Sequence, residues 1–316
     1  MDNKYITVKE FLKEKGDDFK LKLVVGKKYL DKKITVSEVN RPGLSMAGFL
    51  DQFRAERIQI IGKGEYFYCN SVPYKKILKN LNQMFQKGDV PCVVVTGGFK
   101  PNRAVLDAVK KNNIPLFVTP FESATFVREL TMYLDDRLAP AITLHGVLVD
   151  VYGLGVLIQG DPGIGKSECA IELLKRGHIL ISDDVVEIKR RIGHILIGTS
   201  PKITKNFMEV RGIGIVDVEM LFGVGAILPS SAIELEVYLQ SAVGLDLSKY
   251  DRTGLVEKTV NILDIDLPLL NIPVTPGRNL AVLIEIAALN QRLKNSGYFA
   301  AKKLNDIVNR EIKKQK

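Results

Sequence analysis

The eight residues Gly160-Asp161-Pro162-Gly163-Ile164-Gly165-Lys166-Ser167 constrain this 316-residue chain more than any other stretch. They satisfy G-x-x-x-x-G-K-[ST] at every fixed position, and the flanks supply the context that pattern requires. The apolar run 155–159 reads as a strand leading in, and 168–175 as a helix leading out. Glycines in that order let successive backbone N–H groups turn inward at the positive end of a helix, forming a cradle for phosphate oxygens. Lys166 is placed to reach the β- and γ-phosphates of a nucleotide, and the Ser167 hydroxyl to ligate Mg²⁺. A nucleoside triphosphate or a comparable phosphate is the expected ligand.

Further along, Ile179-Leu180-Ile181-Ser182 is an apolar strand that runs into Asp183-Asp184. A strand-end Asp opposite the loop is what a Walker-B element offers to magnesium. Two adjacent Asp allow a division of labour, one on the metal shell and one free to take a proton from an attacking hydroxyl. His145 precedes Lys166 at a strand; a lone His there is more often structural than functional. His178 follows Gly177 at a helix end, where a cation is favourable. The segment Glu209-Val210-Arg211-Gly212-Ile213-Gly214-Ile215-Val216-Asp217-Val218 sets a carboxylate and a guanidinium beside flexible backbone, suited to completing a metal or phosphate shell. The alternative for it, a strand edge plus a turn, stays open. Pro273-Val274-Thr275-Pro276-Gly277-Arg278-Asn279 is a stiff turn presenting one Arg ahead of an Ala/Leu-rich helix. Ser248-Lys249-Tyr250-Asp251 only loosely echoes a guanine-reading element, its first residue being wrong, so a GTPase is not the expectation.

The first third alternates helix and strand. Thr7 and Glu10 have capping-box spacing, and Ile58-Gln59-Ile60-Ile61 and Val93-Val94-Val95 run into glycines as buried strands do. A parallel sheet is expected there. Composition shifts around 137–141, and we divide the chain into an N-terminal α/β domain, residues 1–133, for assembly or regulation, and a catalytic domain, residues 134–316. No apolar run is long enough for a membrane span, and the N-terminus lacks the apolar core of a secretory signal. Cys69, Cys92 and Cys169 have no metal spacing and fit buried thiols in a reducing cytoplasm. The net charge of +9 raises nucleic acid as a partner, but residues 301–316 hold six basic against two acidic side chains, so +4 of it lies in a tail without Phe, Tyr or Trp. No nucleic-acid arm is expected. With its Leu304, Ile307 and Val308 stripe, that tail reads as a docking element or a solvated helix end.

Taken together, His145-Gly-Val-Leu-Val-Asp, the loop 160–167, Asp183-Asp184, the 209–218 segment, Tyr250-Asp251-Arg252 and the 273–279 turn resemble the HPr kinase/phosphorylase family, in its order and spacing. Arg41-Pro42-Gly43 is a weaker mark in the N-terminal part. Pro162 departs from the family pattern, where many members carry Ser; the backbone cradle survives, so altered tuning is expected. The resemblance implies a P-loop kinase domain with sites like those of phosphoenolpyruvate carboxykinases. It implies a protein-serine kinase using ATP or pyrophosphate on the phosphocarrier protein HPr, and phosphorolysis of phosphoseryl-HPr. A role in carbon catabolite repression and sugar uptake, and a homohexamer, come with it. By the same resemblance Lys166 and Ser167 hold phosphate and Mg²⁺, Asp183 and Glu209 share the metal, and Asp184 accepts the serine proton. His145 and Arg252 match catalytic positions. Glu209, Arg211, Gly212, Gly214 and Asp217, with Pro273 through Arg278, match segments tied to substrate and dephosphorylation. A small-molecule phosphotransferase and a nucleotide-switched binding protein stay open as alternatives.

Overall fold

A computed structural model describes residues 5–242, 255–275 and 277–314. The chain forms two compact units, Met1–Ala139 and Pro140–Lys316. The division falls after the helix Ser123–Leu138, which is continuous through the expected boundary at 133/134. Leu130 and Leu134 of that helix are buried in the first unit's core, so the helix belongs whole to that unit.

In the first unit, Thr7 caps the helix Val8–Lys15: its hydroxyl accepts from the Glu10 N–H at 3.1 Å while the Glu10 carboxylate accepts from the Thr7 N–H at 2.7 Å. The strands Lys22–Val25, Leu116–Val118, Val93–Val95, Ile58–Ile61 and Val39–Asn40 lie in that spatial order. Four run parallel, as expected, but Lys22–Val25 is antiparallel to its neighbour. It alternates exposed and half-buried residues, as an edge strand with one wet face does, whereas Ile58–Ile61 is buried throughout. The period-2 geometry sends Val93 and Val95 to one core with Ile77 and Val105, and Val94 to the other with Phe11 and Phe126.

The second unit is built on a nine-stranded mixed sheet among the described residues. Its centre is Leu154–Gly160, antiparallel to Val147–Val151 and parallel to Ser230–Ser241. Helices Lys166–Lys175 and Leu280–Asn295 cover one face, burying Val156, Leu173, Val237, Leu239 and Ile284 in one cluster. Truncating a residue such as Leu239 to Ala costs about 2–5 kcal/mol, because the vacated volume is not refilled. On the other side of the sheet Leu148, Leu157, Val186 and Leu267 form a second cluster. Glu236 is the anomaly on the central strand Ser230–Ser241. It is 3 % exposed, its Oε2 has no hydrogen-bond partner among the described residues, and burial pushes its carboxyl up to about 7.

All three cysteines are buried and unbridged, and burial pushes each thiol up to about 12. His178 departs from the helix-end reading. It is buried, its Nε2 is 3.0 Å from Glu285 of the Leu280–Asn295 helix, and Tyr152 meets its ring edge-on. No helix among the described residues is long and apolar enough to cross a membrane.

Candidate functional site

The loop between strand Leu154–Gly160 and helix Lys166–Lys175 takes a conformation that its glycines permit. Gly160 has φ +146°, and a Cβ there would stand 2.3 Å from the Leu239 carbonyl oxygen on the neighbouring strand. Gly165, at φ +101°, is the residue from which the helix starts. Lys166 opens that helix and folds back over the loop, its Nζ donating to the carbonyls of Gly160 (2.9 Å) and Asp161 (3.1 Å). Its ammonium therefore hangs over the cradle with the helix N-terminus behind it.

Two strands deliver the acids. The Ser167 hydroxyl donates to Asp183 Oδ1 at 3.0 Å, and the Glu209 backbone N–H donates to Asp183 Oδ2 at 3.3 Å. Asp183 is only 6 % exposed. Burial pushes its carboxyl above the usual range, while the Ser167 and Glu209 hydrogen bonds pull it back. Asp184 differs in each respect. It sits at φ +65°, a left-handed turn uncommon for a residue with a side chain, and that side chain is 79 % exposed. The turn falls where Ile179–Ser182, paired with Val147–Val151, passes into Val185–Arg191, paired with Ala141–His145, and the Asp184 carbonyl accepts from the Gly146 N–H at 2.9 Å. Pairing of Val185 with His145, on strand Ala141–His145, brings the His145 Nδ1 to 3.9 Å from Asp184 Oδ1.

These groups face one cavity of about 560 Å³, lined by His145, Gly160, Pro162, Gly163, Gly165, Lys166, Ser167, Asp183, Asp184, Glu209 and Arg211, with Glu168 added by the structure. The Arg211 guanidinium leans over the loop, 3.3 Å from where a Cβ on Gly163 would be. The two other loop residues stand outside the lining: Ile164 packs on the core, and Asp161 accepts from the Tyr238 hydroxyl at 3.4 Å. Tyr238 carried no local signal, since it meets the loop only through the pairing of Gln159 with Tyr238.

The remaining expected residues are elsewhere. Phe207–Val210 and Gly214–Asp217 form a hairpin, in which Gly212 (φ +84°) and Gly214 (φ +103°) make the turn. Asp217 caps the helix Val218–Phe222 by accepting from the Met220 N–H at 3.1 Å. Pro273 and Val274 end the strand Ile265–Val274, Thr275 and Gly277 follow, and Arg278 Nη1 bonds the Pro273 carbonyl at 3.3 Å. None of these lines the Lys166 cavity. Arg252, Pro276 and the Ser248–Tyr250–Asp251 stretch lie outside the described residues.

Among the described residues no three His, Cys, Asp or Glu side chains gather into a metal site of their own. The oxygen set of Ser167, Asp183 and Glu209 still fits Mg²⁺, a hard cation that keeps several waters and takes one or two carboxylates alongside substrate phosphates.

Fold and cavity define a two-domain α/β protein whose second unit opens a cavity lined by carboxylates and a lysine beside a glycine-rich strand–helix loop. The model of the HPr serine kinase N terminus matches residues 6–134, and that of the HPr serine kinase C-terminal domain matches residues 136–308. The chain belongs to the HPr serine kinase family. It is 44% identical over 296 residues to an HPr kinase/phosphorylase of Caldanaerobacter subterraneus subsp. tengcongensis, covering 93% of this chain and 96% of that one. It is 40% identical over 307 residues to one of Leptospira biflexa, covering 97% and 95%. A solved structure of the HPr(Ser) kinase/phosphatase from Coxiella burnetii aligns at 36% identity and a TM-score of 0.47, spanning 52% of this chain and 98% of that one.

Proposed function

We propose that the chain phosphorylates a serine of the phosphocarrier protein HPr from ATP or pyrophosphate, and that the same site removes that phosphoryl group by phosphorolysis. One observation carries this reading. The buried Asp183, tied to Ser167 and the Glu209 backbone, and the exposed Asp184, beside His145, are adjacent residues opening on the Lys166 cavity. Adjacent carboxylates in such unlike settings suit unlike tasks.

In the forward direction the glycine-loop N–H groups and Lys166 bind the donor's phosphates, and Arg211 adds positive charge at Gly163. The Asp184 carboxylate takes the proton of the incoming serine hydroxyl as the O–P bond forms. His145, its Nδ1 3.9 Å from Asp184, stands beside that carboxylate at the cavity. In reverse, protonated Asp184 returns the proton to the leaving serine oxygen while inorganic phosphate attacks phosphoserine, and pyrophosphate forms. The loop binds through backbone and Lys166 rather than through a base, so it suits ATP, phosphate and pyrophosphate alike. Ser167, Asp183 and Glu209 would hold Mg²⁺, which when bound neutralises phosphate charge. Each strand–loop–helix feature accords with a P-loop domain and a site of the phosphoenolpyruvate carboxykinase kind.

The reading carries with it a cytoplasmic homohexamer acting in carbon catabolite repression and sugar uptake, with HPr rather than nucleic acid or membrane as partner. Residues 1–139 would serve assembly or regulation. Arg252 and the 273–278 segment enter as positions for phosphoryl stabilisation and dephosphorylation. The small-molecule phosphotransferase and the nucleotide-switched binder give way to it, because relatives covering nearly the whole chain are HPr kinase/phosphorylases. Incubating the chain with labelled ATP, Mg²⁺ and purified HPr tests it. Acid-stable phosphoserine on HPr is the expected product, and unlabelled HPr with consumed ATP would overturn the reading.

A further inference from the structure

Among the described residues three helices carry Glu as their third residue: Glu10 in Val8–Lys15, Glu65 in Lys63–Ser71 and Glu168 in Lys166–Lys175. The first two fold back. Glu10 accepts from the Thr7 N–H at 2.7 Å and Glu65 from the Gly62 N–H at 3.0 Å, so each carboxylate satisfies the residue just before its helix. Glu168 does not. It is exposed, makes no hydrogen bond or ion pair among the described residues, and lines the Lys166 cavity instead. A carboxylate folded onto the Gly165 N–H would occupy a donor of the phosphate cradle, and here that donor is left open.

The other carboxylates on the lining have tasks. Asp183 accepts from Ser167 and, with Glu209, suits Mg²⁺, while Asp184 stands beside His145. Glu168 is left over, at a cavity whose cations, Lys166 and Arg211, suit phosphate. Toward a phosphate oxygen it can only repel, so it needs a hydrogen-bond donor on the ligand. Of the two phosphoryl donors the site is read to take, only ATP brings ribose hydroxyls, and a carboxylate on ribose hydroxyls is a pairing that dinucleotide-binding folds use. Glu168 also stands at the rim: with Ile171, Lys175 and Arg176 it lines an open groove along the outside of the same helix. The rim of a phosphate site is where a nucleoside leaves it.

We infer that Glu168 is the residue by which this site tells a nucleotide from pyrophosphate, its carboxylate accepting from the ribose hydroxyls. The inference rests on the nucleotide-using part of the reading above. It gives one side chain opposite effects on the two ligands. With the nucleotide Glu168 gains charge-assisted hydrogen bonds. With pyrophosphate it contributes only a negative charge near negative oxygens.

Calorimetric titration of the full chain with ADP, 2′,3′-dideoxy-ADP and pyrophosphate, each with Mg²⁺, tests this in the wild type, Glu168→Gln and Glu168→Ala. ADP and pyrophosphate share two phosphates and differ in the nucleoside, and the dideoxy analogue differs from ADP only in its ribose hydroxyls. The wild type should bind ADP about tenfold more tightly than the dideoxy analogue. In Glu168→Ala that preference should vanish through a loss of about tenfold for ADP, with the dideoxy analogue and pyrophosphate bound as tightly as before or more so. Glu168→Gln, which keeps an acceptor without the charge, should fall between. Equal weakening of ADP and pyrophosphate would mark a metal-shell role and overturn the inference. ADP affinity unchanged in Glu168→Ala, a wild type indifferent to the ribose hydroxyls, or no saturable binding of ADP to the wild type would overturn it too. The kinase reading fails separately, on unlabelled HPr in the phosphoserine assay, and the ADP preference decides Glu168 in either case.

Discussion

The two units put polar residues at the carboxyl ends of their central strands, where open α/β sheets hold ligands, and use them in opposite ways. In the first unit these groups satisfy one another. Arg41 meets the buried Glu65 at 2.9 Å, Glu65 accepts from the Gly62 N–H at 3.0 Å, and Thr96 and Ser123 share a hydrogen bond of 2.6 Å. In the second unit, among the described residues, Lys166 bonds only carbonyls, while Asp184, Glu209 and Arg211 open onto a cavity. Similar strand–helix architecture thus yields a closed polar knot in one case and a reactive opening in the other. The difference lies in which groups are left to face solvent.

The comparison breaks most visibly at Asp184. Asp184→Asn removes the proton acceptor, whose side chain among the described residues makes only the loose approach to His145, so nucleotide binding and melting temperature should hold. The serine-phosphorylation rate should fall by about 10²–10⁴-fold. A transfer rate equal to wild type would remove Asp184 from the chemistry. Glu65→Ala is its counterpart in the closed unit. It frees the Gly62 N–H and strands Arg41, so denaturant unfolding should show a loss of about 2 kcal/mol with the transfer rate per folded molecule unchanged.

Glu236 sharpens the contrast within the second unit. The folded chain holds this carboxyl near 7 against 4.5 for a free side chain, so between those values the native state keeps a proton that the unfolded chain has released. Stability is greatest below the lower value and is lost as pH rises through the upper one. Glu236→Gln should therefore be more stable than wild type at about pH 8, by about 1–3 kcal/mol, with the difference shrinking toward about pH 5; thermal melts at both pH values read this. The smallest effect is on thiols. With all three held at about 12 by burial, none should be alkylated by iodoacetamide in the native chain at neutral pH, and unfolding should expose three.

What could be read from the chain beforehand follows the range of each interaction. The Thr7–Glu10 cap and the strand–loop–helix around Lys166 are set by residues a few positions apart, and the structure has them as expected. The adjacency of Asp183 and Asp184 was visible, but their unlike burial was not, because Glu209 closes over Asp183 from 26 positions away. His178 looked like a helix-end cation because its partner, Glu285, is 107 positions distant. The antiparallel Lys22–Val25 edge escaped for a similar reason, since its direction is decided by pairing with Leu116–Val118. The hairpin after Glu209 and the Pro273–Arg278 turn carried glycines and charges suggestive of a site. In the fold Asp217 caps a helix and Arg278 bonds a carbonyl of its own turn, contacts the sequence did not announce.

The central claim is that one cavity, with Asp184 moving the proton, runs phosphoryl transfer in both directions. Phospho-HPr incubated with the chain and Mg²⁺, with and without inorganic phosphate, tests it most directly when pyrophosphate is measured against dephosphorylated HPr. Release of HPr that depends on phosphate, with one pyrophosphate formed for each serine freed and both abolished in Asp184→Asn, is the predicted result. Dephosphorylation that proceeds without added phosphate, or that forms no pyrophosphate, would contradict it.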